Sequence, residues 1–248
     1  MKPNEKEVRG RDMDKKIIVV KTGNTFASMK SRYGDFEDWI SRGLGVEPEM
    51  IRVVNASGHE PLPGKKQCMG AVVAGSHAMV TDDLDWSLVL ENWLREMVEA
   101  GVPILGICYG HQVLARAMGG QVDYHPRGIE IGCVDIKQTR EEDPLFHGFP
   151  EIFKAHVCHS QTVVCLPAHA VHMAGNDFEP HHAYRLGDRA WGVQFHPEYD
   201  RPIMKAYVEY MQAKIEASGR DLKPILDGIE ETPHALKILE RFGRLCLA

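Results

Sequence analysis

The sequence predicts an α/β fold: an open, mostly parallel β-sheet with helices on both faces and a small antiparallel portion. Two observations carry this prediction. Through residues 16–118, short apolar runs alternate with amphipathic helical segments, the pattern of a buried parallel sheet. After Gly120 the runs become shorter and alternate between apolar and polar residues, as half-exposed antiparallel strands do.

The elements follow in order along the chain. In the first half we predict strands at 16–23, 50–55, 71–74 and 104–107, and helices at 35–43, 84–100 and 113–118. Gly23, Gly43 and Gly101 stand where three of these elements end. In the second half we predict strands at 128–136, 162–165, 182–186 and 191–195, a helix at 201–218 and two further helical stretches.

The organisation is predicted to be simple. The 248 residues contain no internal repeat and no low-complexity linker, so we predict one domain over 16–248 after a mobile, charged tail at 1–15. That tail lacks the apolar core of a signal peptide, and no apolar run approaches the ~20 residues of a membrane span. We therefore expect no membrane association.

Composition and charge exclude several function classes. A net charge of -6 gives no electrostatic reason to bind nucleic acid. The six cysteines form no C-x-x-C pair, which indicates free thiols and a cytoplasmic location. No H-E-x-x-H or similar histidine spacing predicts a metal, and no G-x-G-x-x-G or Walker loop predicts a nucleotide, so no cofactor is expected.

The most informative motif is Gly-Ile-Cys-Tyr-Gly-His-Gln at 106–112. It joins an apolar strand to a helical pattern, the geometry of a nucleophile elbow. A cysteine held there, over a helix N-terminus, is favoured as a thiolate. Cys108 is therefore the candidate nucleophile.

A second motif, Gly-Val-Gln-Phe-His-Pro-Glu at 192–198, supplies a base. His196 would deprotonate Cys108 and later protonate the leaving group, while Glu198 would orient the imidazole. Residues two apart on an extended chain face the same side, so we expect His196 and Glu198 to do so if Pro197 keeps the backbone extended.

Together the two motifs resemble those of the class I (triad-type) glutamine amidotransferases, in particular the glutaminase domain of GMP synthase and its stand-alone relatives. The resemblance covers roughly residues 16–201 and implies a flavodoxin-like α/β fold. It implies cleavage of the side-chain amide of glutamine through a γ-glutamyl thioester. A separate synthase that accepts the ammonia is the implied partner, and a homodimer is a further possibility.

The resemblance also suggests the remaining site residues. The backbone N–H of Tyr109, which follows the nucleophile, and the turn at Gly75 and Ser76 are the candidate oxyanion donors. Gln112 matches the family residue that contacts the bound glutamine. His159 and Ser160 fall in the segment that holds the amino-acid end of the substrate, although that segment matches only in part.

Other functions stay open. The turn Ala-Gly-Ser-His-Ala at 74–78 differs from that of GMP synthase and looks more like that of γ-glutamyl peptidases, which cleave γ-glutamyl conjugates. A non-enzymatic binding relative would not need Cys108, His196 and Glu198. A redox or chaperone protein with a similar elbow would not explain the His-Pro-Glu segment.

Overall fold

A computed structural model describes residues 15–248, which are built around a nine-stranded mixed sheet. The strands are β1 (Lys16–Lys21), β2 (Ile51–Asn55), β3 (Cys68–Val73), β4 (Ile104–Ile107), β5 (Gln121–Tyr124), β6 (Glu130–Gln138), β7 (Ile152–His159), β8 (Gln161–Cys165), β9 (Val171–Gly175), β10 (Ala183–Leu186) and β11 (Ala190–Val193). The helices are α1 (Ala27–Tyr33), α2 (Phe36–Gly43), α3 (Asp85–Glu99), α4 (Tyr109–Ala117), α5 (Arg201–Tyr210), α6 (Gln212–Ala217), α7 (Leu222–Asp227) and α8 (Pro233–Leu247).

The sheet has a parallel and an antiparallel half. Its strand order is β2-β1-β3-β4-β11-β10-β9-β6-β7, and all neighbours from β2 to β11 are parallel. From β11 to β7 the neighbours are antiparallel. β5 and β8 form a separate two-stranded antiparallel sheet. The predicted fold class, a mostly parallel sheet with an antiparallel portion, is confirmed.

Strand β1, which lies between β2 and β3, shows how the two layers arise. Its sequence is apolar at every interior position because both faces of a parallel sheet are covered. Successive side chains point to opposite faces, so Ile17 and Val19 join one core while Ile18 and Val20 join the other. Helices α2, α5 and α8 cover the first face, and α3 and α4 cover the second.

Some elements differ from the predictions. The sequence analysis missed α1, β5, β7 and β9, and it predicted one helix at 201–218 where the chain breaks at Met211 between α5 and α6. Most of the predicted tail, residues 1–14, lies outside the described residues. The single-domain organisation stays a prediction. Within the described residues, no helix is both long and apolar enough to span a membrane.

Candidate active site

Cys108 lies at the tight turn between β4 and α4. Its φ of 51° and ψ of -100° are unusual for a residue with a side chain, and such strain is concentrated at functional sites. The flanking glycines are required sterically. A Cβ on Gly106 would lie 2.3 Å from the carbonyl oxygen of Gly110, and one on Gly110 would lie 2.2 Å from that of Val73. The glycines of the motif therefore allow the turn to press against the sheet.

His196 is placed beside Cys108 by the sheet itself. In the parallel pair β4–β11, Gly106 is opposite Gly192, so both strands deliver the residues that follow them to the same edge. The backbone N–H of Cys108 donates to the carbonyl of Val193 at 2.9 Å, which extends this pairing to the elbow. The carboxyl ends of two neighbouring strands thus bring together two residues far apart in the chain.

Glu198 contacts His196 as predicted, but through a different backbone path. Nδ1 of His196 lies 2.7 Å from Oε1 of Glu198, and both side chains are buried. Strand β11 ends at Val193 and the chain turns at Pro197 and Glu198, so the expected extended backbone is wrong. This turn places the carboxylate of Glu198 next to Nδ1 of the imidazole.

The surroundings of His196 favour its protonated form. Burial by itself lowers the pKa of an imidazole, but the charge of Glu198 and the interaction with Cys108 outweigh burial and raise the pKa of His196 to about 10. The ring also stacks on Tyr199, with centroids 4.0 Å apart and planes 13° apart. An imidazolium held in one orientation can protonate a leaving amine.

The turn after β3 closes the site from the other side. A Cβ on Gly75 would lie 3.0 Å from Cε1 of His196 and 3.7 Å from Cβ of Cys108, so a side chain at this position would crowd the imidazole. Thr22 Oγ1 contacts the carbonyl oxygens of Ala74 and Gly75 at 3.2 and 2.8 Å. Because N–H and C=O lie trans across a peptide bond, the N–H groups of Gly75 and Ser76 point away from Thr22.

The other predicted oxyanion residues are also near the elbow. The N–H of Tyr109 is in the first turn of α4, where the helix provides no acceptor. Ser76 Oγ donates to the Thr22 carbonyl at 2.7 Å and accepts from the Ala78 N–H at 3.1 Å, so its side chain fixes the turn. Any part of Ser76 in oxyanion binding would fall to its backbone.

A cavity of about 330 Å³ opens in front of Cys108. Its wall consists of Phe26, Ser76, His77, Ala78, Met79, Cys108, Tyr109, Gln112, Ile129, Cys158, His159, Ser160, Gln161, Tyr207, Met211 and Lys214. The volume falls at the small end of the range for ligand pockets, about 300–1,000 Å³. The structure thus places all three predicted substrate-binding residues in one wall.

Two of these residues are already held by internal hydrogen bonds. Nε2 of Gln112 donates to the carbonyl of Gln161 at 2.8 Å and to Oε1 of Gln194 at 2.9 Å. An amide nitrogen has two hydrogens, so the side-chain oxygen of Gln112 is the atom left for a ligand. His159 contacts the carbonyl of Gln161 at 3.0 Å and Glu130 at 2.8 Å, so both of its ring nitrogens are already engaged.

Behind His159 lies a buried carboxylate that the sequence analysis missed. Oε2 of Glu130 is 2.8 Å from Nε2 of His159 and 3.3 Å from Nε2 of His182, and Oε1 accepts from Asn176 at 3.0 Å. Burial alone would raise the pKa of Glu130, but these hydrogen bonds hold it far below its usual range. No local motif marks Glu130, because its partners come from distant strands.

Aromatic residues at the cavity mouth were also missed. Phe26 stacks on His77 at 4.2 Å and on Tyr210 at 3.6 Å between centroids. Tyr207 Oη lies 2.8 Å from Thr25 Oγ1 and 3.4 Å from Nε2 of His77. Burial, followed by the charge of the nearby His196, lowers the pKa of His77. Only the helical apolar spacing of α5 signals Tyr207 in the sequence.

Between residues 15 and 248, no three histidine, cysteine or acidic side chains are arranged to hold a metal ion. The chemistry that the arrangement itself offers is attack on a carbonyl by a thiol with a buried imidazole–carboxylate pair beside it.

Comparisons with known proteins agree with this arrangement. Residues 41–209 match the family described as "Glutamine amidotransferase class-I". γ-Glutamyl peptidase 4 of Arabidopsis thaliana is 31% identical over 182 residues, which are 71% of this chain and 72% of that protein. The glutamine-hydrolyzing GMP synthase of Aeropyrum pernix is 29% identical over 203 residues, but these cover only 36% of its length.

Solved structures show the same fold. A glutamine amidotransferase from Thermotoga maritima superposes with a TM-score of 0.74 at 20% identity, covering 95% of this chain and 99% of that one. One from Methylobacillus flagellatus gives a TM-score of 0.76 at 23% identity, covering 94% of each chain. The chain belongs to the class I glutamine amidotransferases, enzymes that act on γ-glutamyl amides.

Proposed function

We propose that this chain hydrolyses the side-chain amide of glutamine to glutamate and ammonia, with Cys108, His196 and Glu198 as its catalytic triad. The observation that carries the proposal is the junction at the ends of β4 and β11. There the strained elbow of Cys108 meets a buried His196 that is paired with Glu198 at 2.7 Å. Thiol, base and orienting carboxylate are the three groups that attack on an amide requires.

The proposed reaction proceeds in two halves. The sulfur of Cys108 attacks the amide carbon, and the C–N bond breaks as the imidazolium of His196 gives its proton to the departing nitrogen. Ammonia leaves and a γ-glutamyl thioester remains. His196 then takes a proton from water, whose oxygen attacks the thioester, and glutamate leaves as the Cys108 thiolate is restored.

Backbone donors would stabilise the negative oxygen formed in each half. We assign this role to the N–H of Tyr109 at the start of α4 and to the N–H groups of Gly75 and Ser76. The hydrogen bonds from Thr22 that orient the Gly75 turn support this assignment. Donors fixed before reaction stabilise the transition state without reorganising.

The substrate would lie along the wall formed by Gln112, His159 and Ser160. We assign the side-chain oxygen of Gln112 to the polar end of the glutamyl group, since its nitrogen is occupied. His159 would keep this part of the wall rigid through its hydrogen bond with Glu130.

A second candidate substrate is a γ-glutamyl peptide or another γ-glutamyl conjugate. The aligned region covers 72% of a stand-alone γ-glutamyl peptidase but only 36% of a GMP synthase. The cavity mouth also carries apolar surface from Phe26 and Met211, suited to a leaving group larger than ammonia. If glutamine is the substrate, we propose that a separate synthase takes up the ammonia.

We further propose that the protein works in the cytoplasm. All six cysteines are free thiols in the structure, and Cys108 must remain reduced to act as a nucleophile.

The proposal is tested by glutamate release from glutamine and from a γ-glutamyl dipeptide, measured side by side. We expect turnover by the wild-type protein, its loss in Cys108→Ala, and its retention in Cys165→Ala, a change at an exposed cysteine outside the site. Preference for the dipeptide would favour the second candidate. Turnover that survives Cys108→Ala would contradict Cys108 as the nucleophile. No turnover of either compound would contradict the proposed reaction and revive a binding function.

A further inference from the structure

The charges on the cavity wall are unbalanced. Lys214 is the one lysine or arginine among the described residues that line the cavity, and no aspartate or glutamate lines it. A γ-glutamyl substrate carries a carboxylate and an ammonium on its α-carbon. The lysine of the described wall can therefore pair with the carboxylate, whereas no lining side chain there carries a negative charge that could pair with the ammonium.

Lys214 has unused binding capacity. Its Nζ donates to Oγ of Ser160 at 3.2 Å. Within residues 15–248, none of the ion pairs includes Lys214. An ammonium has three N–H donors, and here one of them is directed at a hydroxyl that is itself a donor. Together, Lys214 and Ser160 can bind both oxygens of a carboxylate.

Lys214 reaches the cavity from the first turn of α6. Met211 lies between α5 and α6, with φ of -85° and ψ of 6°. Residues three apart share one side of a helix, so Met211 and Lys214 both reach the cavity wall. The fully buried Ile215 anchors α6 to the core. These residues lie beyond the matched family region, 41–209.

Cys108, Ser160 and Lys214 line the same cavity. Cys108 Sγ lies 3.8 Å from the carbonyl oxygen of Cys158, and Ser160 follows Cys158 by two residues. The amide carbon and the α-carboxylate of glutamine are joined by four carbon–carbon bonds, so both ends of the substrate would lie within this one cavity. Burial raises the pKa of Cys158 to about 12, and the charge of Lys214 acts against that rise, as expected if both face one cavity.

We infer that Lys214, together with Ser160, binds the α-carboxylate of the γ-glutamyl substrate and is a specificity-determining residue of this enzyme. The inference rests on the proposed function, since it takes Cys108 as the point of attack. It adds that the site recognises the α-carboxylate more strongly than the α-ammonium, because no acidic side chain lines the described wall.

The test uses three amides that share the reacting group. These are glutamine, glutaramate, which lacks the α-ammonium, and 4-aminobutanamide, which lacks the α-carboxylate. We expect Lys214→Gln to lower kcat/KM for glutamine and glutaramate by about 10- to 100-fold, the range for a charged hydrogen bond, and to change that for 4-aminobutanamide by no more than about 2-fold. Lys214→Arg should keep most of the activity because it keeps the charge.

The control is Lys205→Gln, which removes a lysine of α5 that lines a different surface cleft and should change none of the three values. Circular dichroism checks that α6 still folds. A loss of equal size for all three amides, or no loss for any, would overturn the assignment of Lys214.

A binding measurement separates this inference from the proposed function. In Cys108→Ala, calorimetry with glutaramate should give a Kd about 10-fold or more weaker when Lys214→Gln is added. Weaker binding by the double variant, with no turnover by the wild type, would overturn the proposed reaction and keep the carboxylate site. An unchanged Kd would overturn the carboxylate site, whatever the turnover.

Discussion

Gly75 is the residue at which the turn after β3 comes closest to both Cys108 and His196. We predict that Gly75→Ala lowers kcat/KM by about 10-fold, because the imidazole has to shift by a few tenths of an ångström, whereas a misplacement of about 1 Å would cost about 100-fold. The new Cβ would start 3.0 Å from Cε1 of His196 and push the imidazole away from the sulfur. Steady-state kinetics on glutamine or a γ-glutamyl dipeptide measures the loss.

Gly64→Ala is the matched control for this change. A Cβ on Gly64 would have no atom within 4 Å, and its φ of -71° suits any residue. We expect its activity and melting temperature to equal those of the wild type. Full activity in Gly75→Ala would show that the turn does not constrain His196.

Glu198 determines the charge of His196 across the pH range. Burial opposes the imidazolium, and the carboxylate of Glu198 is the first of the groups that oppose burial and raise the pKa of His196 to about 10. Glu198→Gln removes that charge, so the pKa must fall and His196 must lose its proton at lower pH. We predict that the alkaline limb of the kcat/KM profile moves to lower pH and that kcat falls by about 100-fold or more.

A pH series on wild type and Glu198→Gln measures both effects. Glu209→Gln, on the exposed side of α5, is the control and should leave the profile in place. An alkaline limb at the same pH in Glu198→Gln would mean that His196 does not carry the proton that the reaction consumes.

Among the elements, α2 begins at a buried ion pair. Asp35 is the N-cap of α2, and its fully buried carboxylate accepts from Lys21 Nζ at 2.8 Å and from the Thr25 N–H at 2.8 Å. Lys21 also pairs with Glu37. Burial by itself would raise the pKa of Asp35, but these hydrogen bonds lower it below its ordinary value.

We predict that Asp35→Asn lowers the free energy of unfolding at neutral pH by about 3 kcal/mol, since it leaves a buried lysine with one carboxylate fewer. A carboxylate with a lowered pKa stabilises the fold above its unfolded pKa, and this stabilisation is lost as the pH falls through the folded value. The gap between wild type and variant should therefore shrink in acid. Urea unfolding at both pH values measures it.

The control is Lys137→Gln, which removes an ion pair with Glu151 whose side chains are both mostly exposed. Such pairs contribute little, so the urea midpoint should stay unchanged. A gap that persists undiminished in acid would show that the charge of Asp35 is not its source.

The elements that the sequence predicted are those with a strong local pattern. β1 is apolar throughout, and β4 matches its predicted range because it leads directly into the elbow. By contrast, α1 is short and polar, with no side-chain cap at Phe26, so nothing local marks its start. The break at Met211 has neither glycine nor proline, so no local signal in the sequence marks it.

At the scale of the whole molecule, the six free cysteines should differ widely in reactivity. Burial raises the pKa of Cys68 to about 11 and that of Cys246 to about 12, so few of these thiols ionise near neutrality. Cys108 faces the cavity beside His196, and Cys165 is exposed. We predict that limiting iodoacetamide labels Cys108 first, Cys165 more slowly, and the buried thiols only after unfolding.

Peptide mass mapping over time gives the order of labelling. His196→Ala provides the comparison, since it removes the base while leaving the thiol in place, and we expect it to slow the labelling of Cys108 but not that of Cys165. Labelling of Cys165 before Cys108 in the wild type would contradict an activated nucleophile.

The residues of the site also differ in whether a local sequence motif identifies them. Cys108, His196 and Glu198 stand in two motifs of seven residues each, so the amino-acid sequence is sufficient to predict them. Lys214 contacts Ser160 and Glu130 contacts His159 across the fold, and no short motif contains either of them with its partner. The motifs therefore predict the candidate triad, while the proposed substrate contacts depend on the assembled fold.

The pairing of β4 with β11 also bears on how the protein is made. The proposed nucleophile Cys108 follows β4 and its proposed base His196 follows β11, and these two strands are neighbours only in the completed sheet. Chains leave the ribosome from the N-terminus. A nascent chain therefore carries Cys108 without this partner until synthesis has passed Glu198, so the proposed hydrolysis can begin only after that point.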